Sequence, residues 1–367
     1  MTSSSVRNVL VAPTAFKGTL GPSAVARAMA AGVTAVWPSA EVIERPLSDG
    51  GNGLLEACAP LLGGRLSEHE VSGPLGEPVR ARTLQAGRRA VIESAEACGL
   101  HLIPPERRAP LRATTRGVGE LLHLVIEGGA SEVVLGLGGS GTVDGGTGMA
   151  RALGWRFEDE AGAPLLEGGG SLTGLARIYA PPHPVGVGVK ALCDVENPLL
   201  GGEGAARVYG PQKGAGPEEV EVLEAGLARL ADVLKTELGL AVAGLSGAGA
   251  AGGLGAGARA FLGAELVSGA EWMIGATGLR DLLASADLVV TGEGRYDAQS
   301  GMGKLTGRVV AAARRAGVPV LLVCGRVDGP LPGGVESADS GGRSLDASGI
   351  SRLTRNACRG RADGHRL

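Results

Sequence analysis

The feature that most constrains the fold of this chain is the alternation of short apolar runs with segments of helical apolar spacing. Residues 8–12 form an apolar run of strand length, and residues 22–36 follow with apolar side chains at helical spacing. The same criteria predict further strands at 42–46, 90–93, 132–137, 191–193, 288–291 and 318–324, and further helices at 54–62 and 218–238. Because strands alternate with helices, the pattern predicts an α/β fold with mainly parallel sheets.

Polar, glycine-rich loops follow five of the predicted strands. In open α/β sheets, ligands bind outside the carboxyl ends of the strands, where these loops lie. The loops supply three cations and five carboxylates: Lys17, Arg295, Lys304, Asp49, Asp144, Asp194, Glu293 and Asp297. Glycine amides can cradle anions, and carboxylates can hold Mg²⁺ or accept a hydroxyl proton. Phosphoryl transfer needs this combination, although a tight turn is the simpler interpretation of any single Asp-Gly pair.

The frequencies of glycine and lysine determine how informative short sequence motifs are in this chain. With 65 glycines in 367 residues, about two chance matches to G-x-G-x-x-G are expected, and two occur, at Gly136-Gly138-Gly141 and Gly247-Gly249-Gly252. Lysine is scarce, and three of the five lysines adjoin a glycine in a loop-like sequence: Lys17, Lys213 and Lys304. This placement suggests contact with phosphate or carboxylate, and an ordinary surface lysine is the alternative.

Composition argues against several classes of function. A net charge of -3 and 2% aromatic residues offer neither a basic field nor stacking platforms for nucleic acid. Five widely spaced cysteines fit neither a disulfide framework nor a zinc site. No apolar run approaches the roughly 18 residues of a membrane span, and residues 1–8 lack the apolar core of a signal peptide. The sequence therefore predicts a soluble, cytoplasmic protein with no nucleic-acid or membrane partner.

The segment LVVTGEGRYDAQSGMGKLTG, residues 288–307, approaches a P-loop motif but does not complete it. Ala298 stands where the first glycine belongs, and Leu305 stands where the Mg²⁺-binding hydroxyl belongs. Eight segments in one order, between about residue 8 and about residue 325, resemble instead the bacterial glycerate kinase family: NVLVAPTAFKGTLGPSAVARAMAAG, PLSDGGNG, VIESAEACGLHLIP, TTRGVGELL, GLGGSGTVDGGTGMARALG, CDVENPLLGGEGAARVYGPQKGA, GAGAAGGLGAG and TGEGRYDAQSGMGK.

The resemblance implies a function and a domain organisation. The implied reaction is the ATP-dependent phosphorylation of D-glycerate with Mg²⁺, usually to 2-phosphoglycerate. The implied fold has two α/β domains, one of them flavodoxin-like, with a Rossmann-like parallel sheet built from both chain ends, and the other inserted between its halves. We expect the first at 1–75 and 283–330 and the second at 76–282. The expected partners are D-glycerate and ATP, and the oligomeric state stays open between monomer and homodimer.

Within this interpretation each candidate residue receives a role. Asp194 is expected to be the general base, and Lys17 and Arg295 are expected to contact the anions of ATP or glycerate. The candidates for the metal are Asp49, Asp144 and Asp297. Those for binding substrate or phosphate are Gly138, Gly139, Ser140, Lys213, Glu293 and Lys304. The same carboxylates could instead be turn residues and helix caps.

Some positions depart from the family pattern. Thr14 and Ala15 stand where the family has an acidic and a hydroxyl residue, and Asn52 replaces a glutamate. Residues 331–367 are rich in glycine, arginine, serine and aspartate without apolar periodicity. We therefore expect an irregular tail that leaves the sheet face near residues 318–324 partly uncovered. An inactive glycerate-kinase-like binding protein is the alternative that these departures motivate.

A second alternative is an NAD(P)-dependent oxidoreductase that uses Gly136-Gly138-Gly141. Glu158 and Asp159 lie about 20 residues further on, near the spacing that a ribose contact requires. This alternative is weakened because residues 142–146 stand where the dinucleotide-binding motif needs the start of a helix.

Overall fold

The computed structural model describes residues 6–16, 18–297 and 304–363, and strands and helices alternate along them. The predicted α/β fold with parallel sheets is confirmed. The chain divides into two compact units, which we call unit 1 (Met1–Leu61 and Gly269–Leu367) and unit 2 (Leu62–Ser268).

The elements are numbered in chain order. The strands are β1 (Asn8–Val11), β2 (Glu41–Glu44), β3 (Arg65–Ser72), β4 (Pro78–Ala86), β5 (Arg89–Glu93), β6 (Glu132–Gly136), β7 (Arg156–Glu158), β8 (Arg177–Tyr179), β9 (Gly188–Leu192), β10 (Glu265–Val267), β11 (Leu288–Thr291), β12 (Arg295–Tyr296), β13 (Val320–Cys324), β14 (Arg326–Val327) and β15 (Val335–Asp339). The α-helices are α1 (Pro22–Thr34), α2 (Leu54–Leu62), α3 (Ala95–Cys98), α4 (Arg116–Glu127), α5 (Thr147–Ala152), α6 (Ala205–Tyr209), α7 (Pro217–Leu238), α8 (Ala250–Leu262), α9 (Gly269–Ala276), α10 (Leu279–Leu283), α11 (Leu305–Arg315) and α12 (Ala347–Ala362).

The main sheet of unit 1 consists of parallel strands in the order β15-β13-β11-β1-β2. Val9 in β1 is paired with Leu288 on one side and with Val42 on the other. Counted along the chain, the strands of this sheet lie in the order 2-1-3-4-5, which is the order of flavodoxin-type sheets. In such sheets the ligand crevice lies where the strand order reverses, here between the carboxyl ends of β1 and β11.

The main sheet of unit 2 has the order β10-β9-β6-β5-β4-β3. Strands β5, β6, β9 and β10 are parallel, so their carboxyl ends meet at one edge. Strand β4 is antiparallel to both β3 and β5, so these three strands form a meander. The parallel edge is therefore the place where the loops after β5, β6, β9 and β10 come together.

Each unit buries its own apolar core. In unit 1, Val25, Met29 and Val33 of α1 pack with side chains of β1, β11 and β13. In unit 2, the core combines strands β5, β6 and β9 with α4, α7 and α8. The predicted apolar stripe of α7 is buried as expected, at Val220, Leu223, Leu227, Leu230 and Leu234.

Local signals explain where α7 begins and ends. Pro217 occupies the first helical position, where a proline costs no hydrogen bond. The Glu219 side chain accepts a hydrogen bond from the Gly216 backbone N–H at 2.9 Å. Gly239 ends the helix in a left-handed conformation, with φ of 70°, which glycine adopts without the steric cost of a Cβ atom. The sequence therefore encodes both the start and the end of this 22-residue helix.

The carboxyl-terminal region differs from the irregular tail that the sequence suggests. Strand β15 pairs in parallel with β13, from Val320↔Val335 to Cys324↔Asp339. Helix α12 begins at the cap residue Asp346, whose side chain accepts a hydrogen bond from the Gly349 backbone N–H, and packs on α1. The strand Val320–Cys324 is fully buried, so the expected uncovered sheet face is wrong.

The sequence signal of α12 is weak because small and polar residues form its buried face. Ile350, Thr354, Ala357 and Cys358 are buried at helical spacing, but only Ile350 is a large apolar residue. The two helices lie close together, so the buried face of α12 does not need large apolar side chains. A Cβ atom added at Gly32 of α1 would lie 2.6 Å from the Ser351 backbone oxygen. A glycine on α1 thus allows a helix with few apolar side chains to bury its face.

Candidate functional site

The loop at residues 138–146 follows β6 at the parallel edge of unit 2 and is held against the segment after α3. The Leu100 backbone N–H donates to the Gly139 oxygen at 2.9 Å, and the Gly141 N–H donates to the Cys98 oxygen at 2.7 Å. Gly139 has φ of 81°, a conformation that favours glycine. The predicted binding residues Gly138, Gly139 and Ser140 therefore lie in a hydrogen-bonded loop at the edge where the carboxyl ends of the parallel strands meet.

Lys213 lies beneath this loop and is only 2% exposed. Its Nζ atom donates to Ser140 Oγ at 3.0 Å and to the Thr142 backbone oxygen at 2.7 Å. Burial lowers the pKa of the Lys213 ammonium to about 8, while electrostatic interaction with Cys98 and Asp144 acts in the opposite direction. The structure thus brings Lys213 and Ser140 together, as partners of each other.

Asp144 is fully buried and is bound by protein donors on both carboxylate oxygens. Oδ2 accepts from the Thr115 backbone N–H and hydroxyl, both at 2.8 Å, and from the Gly148 N–H at 3.1 Å. Oδ1 accepts from the Gly146 N–H at 3.1 Å. Burial raises the pKa of Asp144, and these hydrogen bonds act against that rise. The carboxylate therefore ties the end of the 138–146 loop to α4 and α5.

Asp194 follows β9, the strand next to β6, and its side chain is exposed at the same edge. Its Oδ1 atom accepts a hydrogen bond from the Ser268 hydroxyl at 2.8 Å. Ser268 directly follows β10, the strand next to β9. A carboxylate is thus oriented by a hydroxyl from a neighbouring strand end, on the edge that carries the 138–146 loop.

Glu93 is a buried carboxylate at this edge that sequence reasoning did not select. It is the last residue of β5, is 5% exposed, and is paired with Gly136 of β6. Ser268 was missed as well. The usable signal for Glu93 was an acidic residue at the end of an otherwise apolar strand, which is rarely buried without a partner.

In unit 1, the loops after β1 and β11 meet at the point where the strand order reverses. The Thr14 hydroxyl donates to the Gly292 backbone oxygen at 3.3 Å and lies 3.5 Å from the Thr306 hydroxyl. A Cβ atom at Gly292 would collide with the Val323 backbone oxygen, so close strand packing requires glycine there. Lys17, predicted in the same loop, lies outside the described residues.

The remaining predicted residues of unit 1 follow β2 and β11. Asp49 is half-buried, and its Oδ1 accepts from the Gly51 N–H at 3.3 Å. Glu293 is half-buried two residues beyond β11. Asp297 forms an ion pair with Lys304, with 3.6 Å between Oδ1 and Nζ. These four residues supply three carboxylates and one ammonium.

Arg295 is exposed and already has an anionic partner. Its Nε atom donates to Asp328 Oδ2 at 2.7 Å, and Arg326 donates to the other oxygen of the same carboxylate at 2.7 Å. These hydrogen bonds, with Arg326 first, lower the pKa of Asp328. The predicted anion-binding guanidinium is therefore part of a two-arginine fork around Asp328, a residue outside the predicted set.

Three of the sequence-based expectations can be compared directly with the described ranges. Within residues 6–16, 18–297 and 304–363, no group of three or more His, Cys, Asp or Glu side chains is arranged to hold a metal ion. None of the helices in these ranges is long and apolar enough to cross a membrane. Gly136 ends β6, but the next helix begins only at Thr147, so the oxidoreductase alternative lacks its phosphate-binding helix start.

Comparison with known proteins gives a consistent result. The sequence model of the glycerate kinase family matches residues 9–339. The chain is 44% identical over 325 residues to glycerate kinase of Halalkalibacterium halodurans, covering 87% of this chain and 86% of that protein. It is 42% identical over 322 residues to glycerate 2-kinase of Escherichia coli K12, covering 86% and 84%.

A solved structure agrees with the sequence matches. The crystal structure of a protein assigned as glycerate kinase 2 from Salmonella typhimurium LT2 is 38% identical and has a TM-score of 0.85. That similarity covers 98% of this chain and 99% of the other. With a family match over most of its length and relatives above 40% identity, the chain belongs to the glycerate kinase family.

Proposed function

We propose that this chain transfers the terminal phosphoryl group of ATP to a hydroxyl group of D-glycerate, forming 2-phosphoglycerate with the help of Mg²⁺. One observation carries the proposal beyond the family match. The glycine-rich 138–146 loop and the carboxylate of Asp194 lie at the carboxyl ends of the neighbouring strands β6 and β9. Anion-binding backbone and a proton acceptor on one edge are the two elements that a sugar-acid kinase needs.

The residues of unit 2 divide the chemistry between them. The backbone N–H groups of Gly138, Gly139 and Ser140 bind an anionic oxygen of ATP or of glycerate. Asp194 accepts the proton of the attacking hydroxyl group, and the Ser268 hydroxyl fixes the orientation of its carboxylate. Catalysis then consists mainly of positioning and charge stabilisation, as in other phosphoryl transfers.

Asp49 and Asp297 fit a magnesium site better than Asp144 does. Mg²⁺ in kinases is commonly held by one or two carboxylates together with phosphate oxygens. Both carboxylate oxygens of Asp144 accept hydrogen bonds from protein donors, four in all. Asp144 is therefore better suited to stabilising the loop than to binding a metal. Asp49 accepts one long hydrogen bond from Gly51. The metal, when bound, would neutralise charge on the phosphates.

Cationic residues of unit 1 complete the proposal. Lys17, Arg295 and Lys304 contact phosphate or glycerate anions, with Glu293 as a polar contact nearby. Arg295 and Lys304 already pair with Asp328 and Asp297, so ligand binding would exchange one anionic partner for another.

The sheet order of unit 1 supports a domain assignment. We propose a flavodoxin-like domain built from both chain ends and an α/β domain inserted between its halves. We expect this ATP-consuming reaction to take place in the cytoplasm. Light scattering would distinguish a monomer from a homodimer.

The decisive experiment measures ADP release from Mg-ATP in the presence of D-glycerate, with L-glycerate as the stereochemical control. Added enolase consumes 2-phosphoglycerate at once, whereas 3-phosphoglycerate needs a mutase first. We expect D-glycerate-dependent ADP release and direct conversion by enolase. Omitting Mg²⁺ in the presence of a chelator should abolish turnover.

Two results would contradict the proposal. Thermal protection by NADH but not by Mg-ATP would favour the oxidoreductase alternative. Binding of Mg-ATP and D-glycerate without turnover would favour the inactive binding protein.

A further inference from the structure

The hydrogen bonds of Lys213 constrain the Ser140 hydroxyl. An ammonium group can only donate, so Ser140 Oγ is the acceptor in the 3.0 Å contact with Lys213 Nζ. Lys213 is almost completely buried, and its second hydrogen bond goes to the Thr142 backbone oxygen at 2.7 Å. The ammonium is thus bound from within the protein and has little access to a ligand.

The hydroxyl hydrogen of Ser140 must therefore point elsewhere. Across the part of the chain that the structure describes, the Ser140 hydroxyl makes no hydrogen bond other than the one from Lys213. A hydroxyl oxygen that accepts from a cation is a stronger donor, because each hydrogen bond polarises the next. Ser140 also lies in the loop that follows β6 at the edge where the carboxyl ends of the parallel strands of unit 2 meet. Its hydroxyl is consequently prepared to donate to an anion.

We propose that the Ser140 hydroxyl donates a hydrogen bond to an anionic substrate oxygen, and that Lys213 is a positioning residue that acts through Ser140 without touching the substrate. This inference rests on the proposed kinase function and deepens it. The anionic oxygen belongs either to a phosphate group of ATP or to the carboxylate of glycerate, which share the same acceptor chemistry.

Asp144 provides the balancing charge for Lys213. Its carboxylate contributes to holding the ammonium in its charged form, and its hydrogen bonds to Thr115, Gly146 and Gly148 fix the far end of the same loop. A buried cation and a buried anion thus support the two ends of the loop, and Ser140 between them is itself 5% exposed, so its hydroxyl is held in a fixed position.

The first test is Ser140→Ala, with Ser171→Ala as the matched control. The Ser171 hydroxyl donates to the Leu166 and Gly168 backbone oxygens, so its hydrogen is already used within a loop of the same unit. Calorimetry measures the Kd of a non-hydrolysable ATP analogue with Mg²⁺ and, separately, the Kd of D-glycerate. We expect Ser140→Ala to weaken one of the two by about 10-fold, since hydrogen bonds to charged groups are the stronger ones.

The ligand that loses affinity identifies the source of the anionic oxygen. A change confined to the ATP analogue indicates a phosphate oxygen, and a change confined to glycerate indicates its carboxylate. Unchanged affinity for both ligands, or an equal change in Ser171→Ala, would overturn the proposal. Because wild-type turnover is measured separately, absence of turnover counts against the proposed function and leaves these binding results interpretable.

The second test concerns the indirect role of Lys213. If Lys213 acts through Ser140, the double variant Ser140→Ala/Lys213→Met should bind the affected ligand as weakly as the weaker single variant. Additive losses would mean that Lys213 contacts the ligand itself and would overturn its positioning role.

A labelling experiment keeps this part testable if Lys213→Met does not fold. An acyl-phosphate derivative of ATP acylates lysines that touch the nucleotide phosphates, and peptide mass spectrometry of the wild-type protein locates the label. We expect Lys213 to be unlabelled under conditions that label another lysine of the chain. Acylation of Lys213 would overturn the inference.

Discussion

At the scale of single residues, the strongest candidate for proton transfer is Asp194, whose carboxylate is held by the Ser268 hydroxyl at 2.8 Å. Asp194→Asn keeps the size of the side chain but removes the proton acceptor. We expect kcat with D-glycerate to fall by about 10²-fold or more, while the ATP analogue still binds. Steady-state kinetics and calorimetry measure the two quantities.

Glu196→Gln is the matched control for Asp194→Asn. Glu196 is an exposed carboxylate two residues further along the same loop, so its loss should leave kcat nearly unchanged. Near-normal turnover of Asp194→Asn, or an equal loss in Glu196→Gln, would remove Asp194 from the mechanism.

The buried ammonium of Lys213 predicts a pH-dependent stability. Burial lowers its pKa to about 8 in the folded protein, from an ordinary value of 10.5. Below pH 8 the lysine is charged in both the folded and the unfolded state, and the folded protein carries the full cost of burial. Between pH 8 and 10.5 the unfolded chain binds more protons, so this residue makes the free energy of unfolding rise with pH.

The Lys213→Met variant isolates this effect. The free energy of unfolding of the wild type, relative to Lys213→Met, should increase between pH 7.5 and pH 9.5 in urea titrations. Lys235→Met, which removes an exposed lysine of α7, is the control. A constant difference across this range would show that Lys213 keeps its charge in the folded state.

Sequence reasoning selected candidate residues that follow strands and did not select those whose position depends on strand pairing. Asp194 was predictable because it follows an apolar run, and ligands gather at such positions. Ser268 became a partner of Asp194 only because β10 pairs with β9, and 74 residues separate the two in the chain. Lys213 was selected for its neighbouring glycine, but its nearly complete burial has no local signature.

At the scale of secondary-structure elements, the contact between α1 and α12 depends on one glycine. A Cβ atom at Gly32 would lie 2.6 Å from the Ser351 oxygen and 2.7 Å from Thr354 Cβ, so Gly32→Ala must push the helices apart. We expect a loss of about 1 to 3 kcal/mol in the free energy of unfolding, as is typical of overpacked sites. Thermal or urea denaturation measures it.

Gly275→Ala provides the matched control for Gly32→Ala. Gly275 lies in α9, and a Cβ atom there would meet nothing within 4 Å. Alanine in an open helical position is neutral or slightly stabilising, because it restricts the unfolded chain. Equal effects of the two substitutions would mean that the close packing of α1 and α12 is unimportant for stability.

Helices and strands whose apolar residues recur at regular spacing were predictable from the sequence. Strands with mostly exposed or half-buried side chains were not. Helix α7 and the strands β1, β6, β11 and β13 coincide with their predicted segments to within a few residues. The hairpin of β3 and β4 was not predicted. Strand β3 has mostly exposed or half-buried side chains, including glutamate, arginine and histidine, so it lacks the alternation that marks a half-buried strand.

At the scale of the whole molecule, unit 2 is one continuous segment with its own apolar core. We expect residues 62–268, expressed alone, to fold and to unfold cooperatively, because the apolar contacts that stabilise this core lie within the segment. Circular dichroism and a urea titration test this expectation. An unfolded or non-cooperative fragment would show that unit 2 depends on the remainder of the chain.

The division into units could not be read from local sequence signals. Val9 pairs with Leu288, 279 residues later in the chain, and a propensity or a turn motif carries no information about such a pairing. The expectation of a domain built from both chain ends came from the resemblance to a family, which summarises long-range pairing that a single sequence does not display.

The pairing of early and late segments also affects how the protein folds while the ribosome is synthesising it. Helix α1 emerges early, but β11, β13 and α12, against which it packs, are translated only after unit 2. At about 5 to 20 residues per second, the roughly 200 residues of unit 2 take about 10 to 40 seconds to make. During that interval α1 lacks the part of its native core that β11, β13 and α12 supply. We expect unit 2 to fold while it is being translated, whereas unit 1 can complete its core only after its last strands and helix have been made.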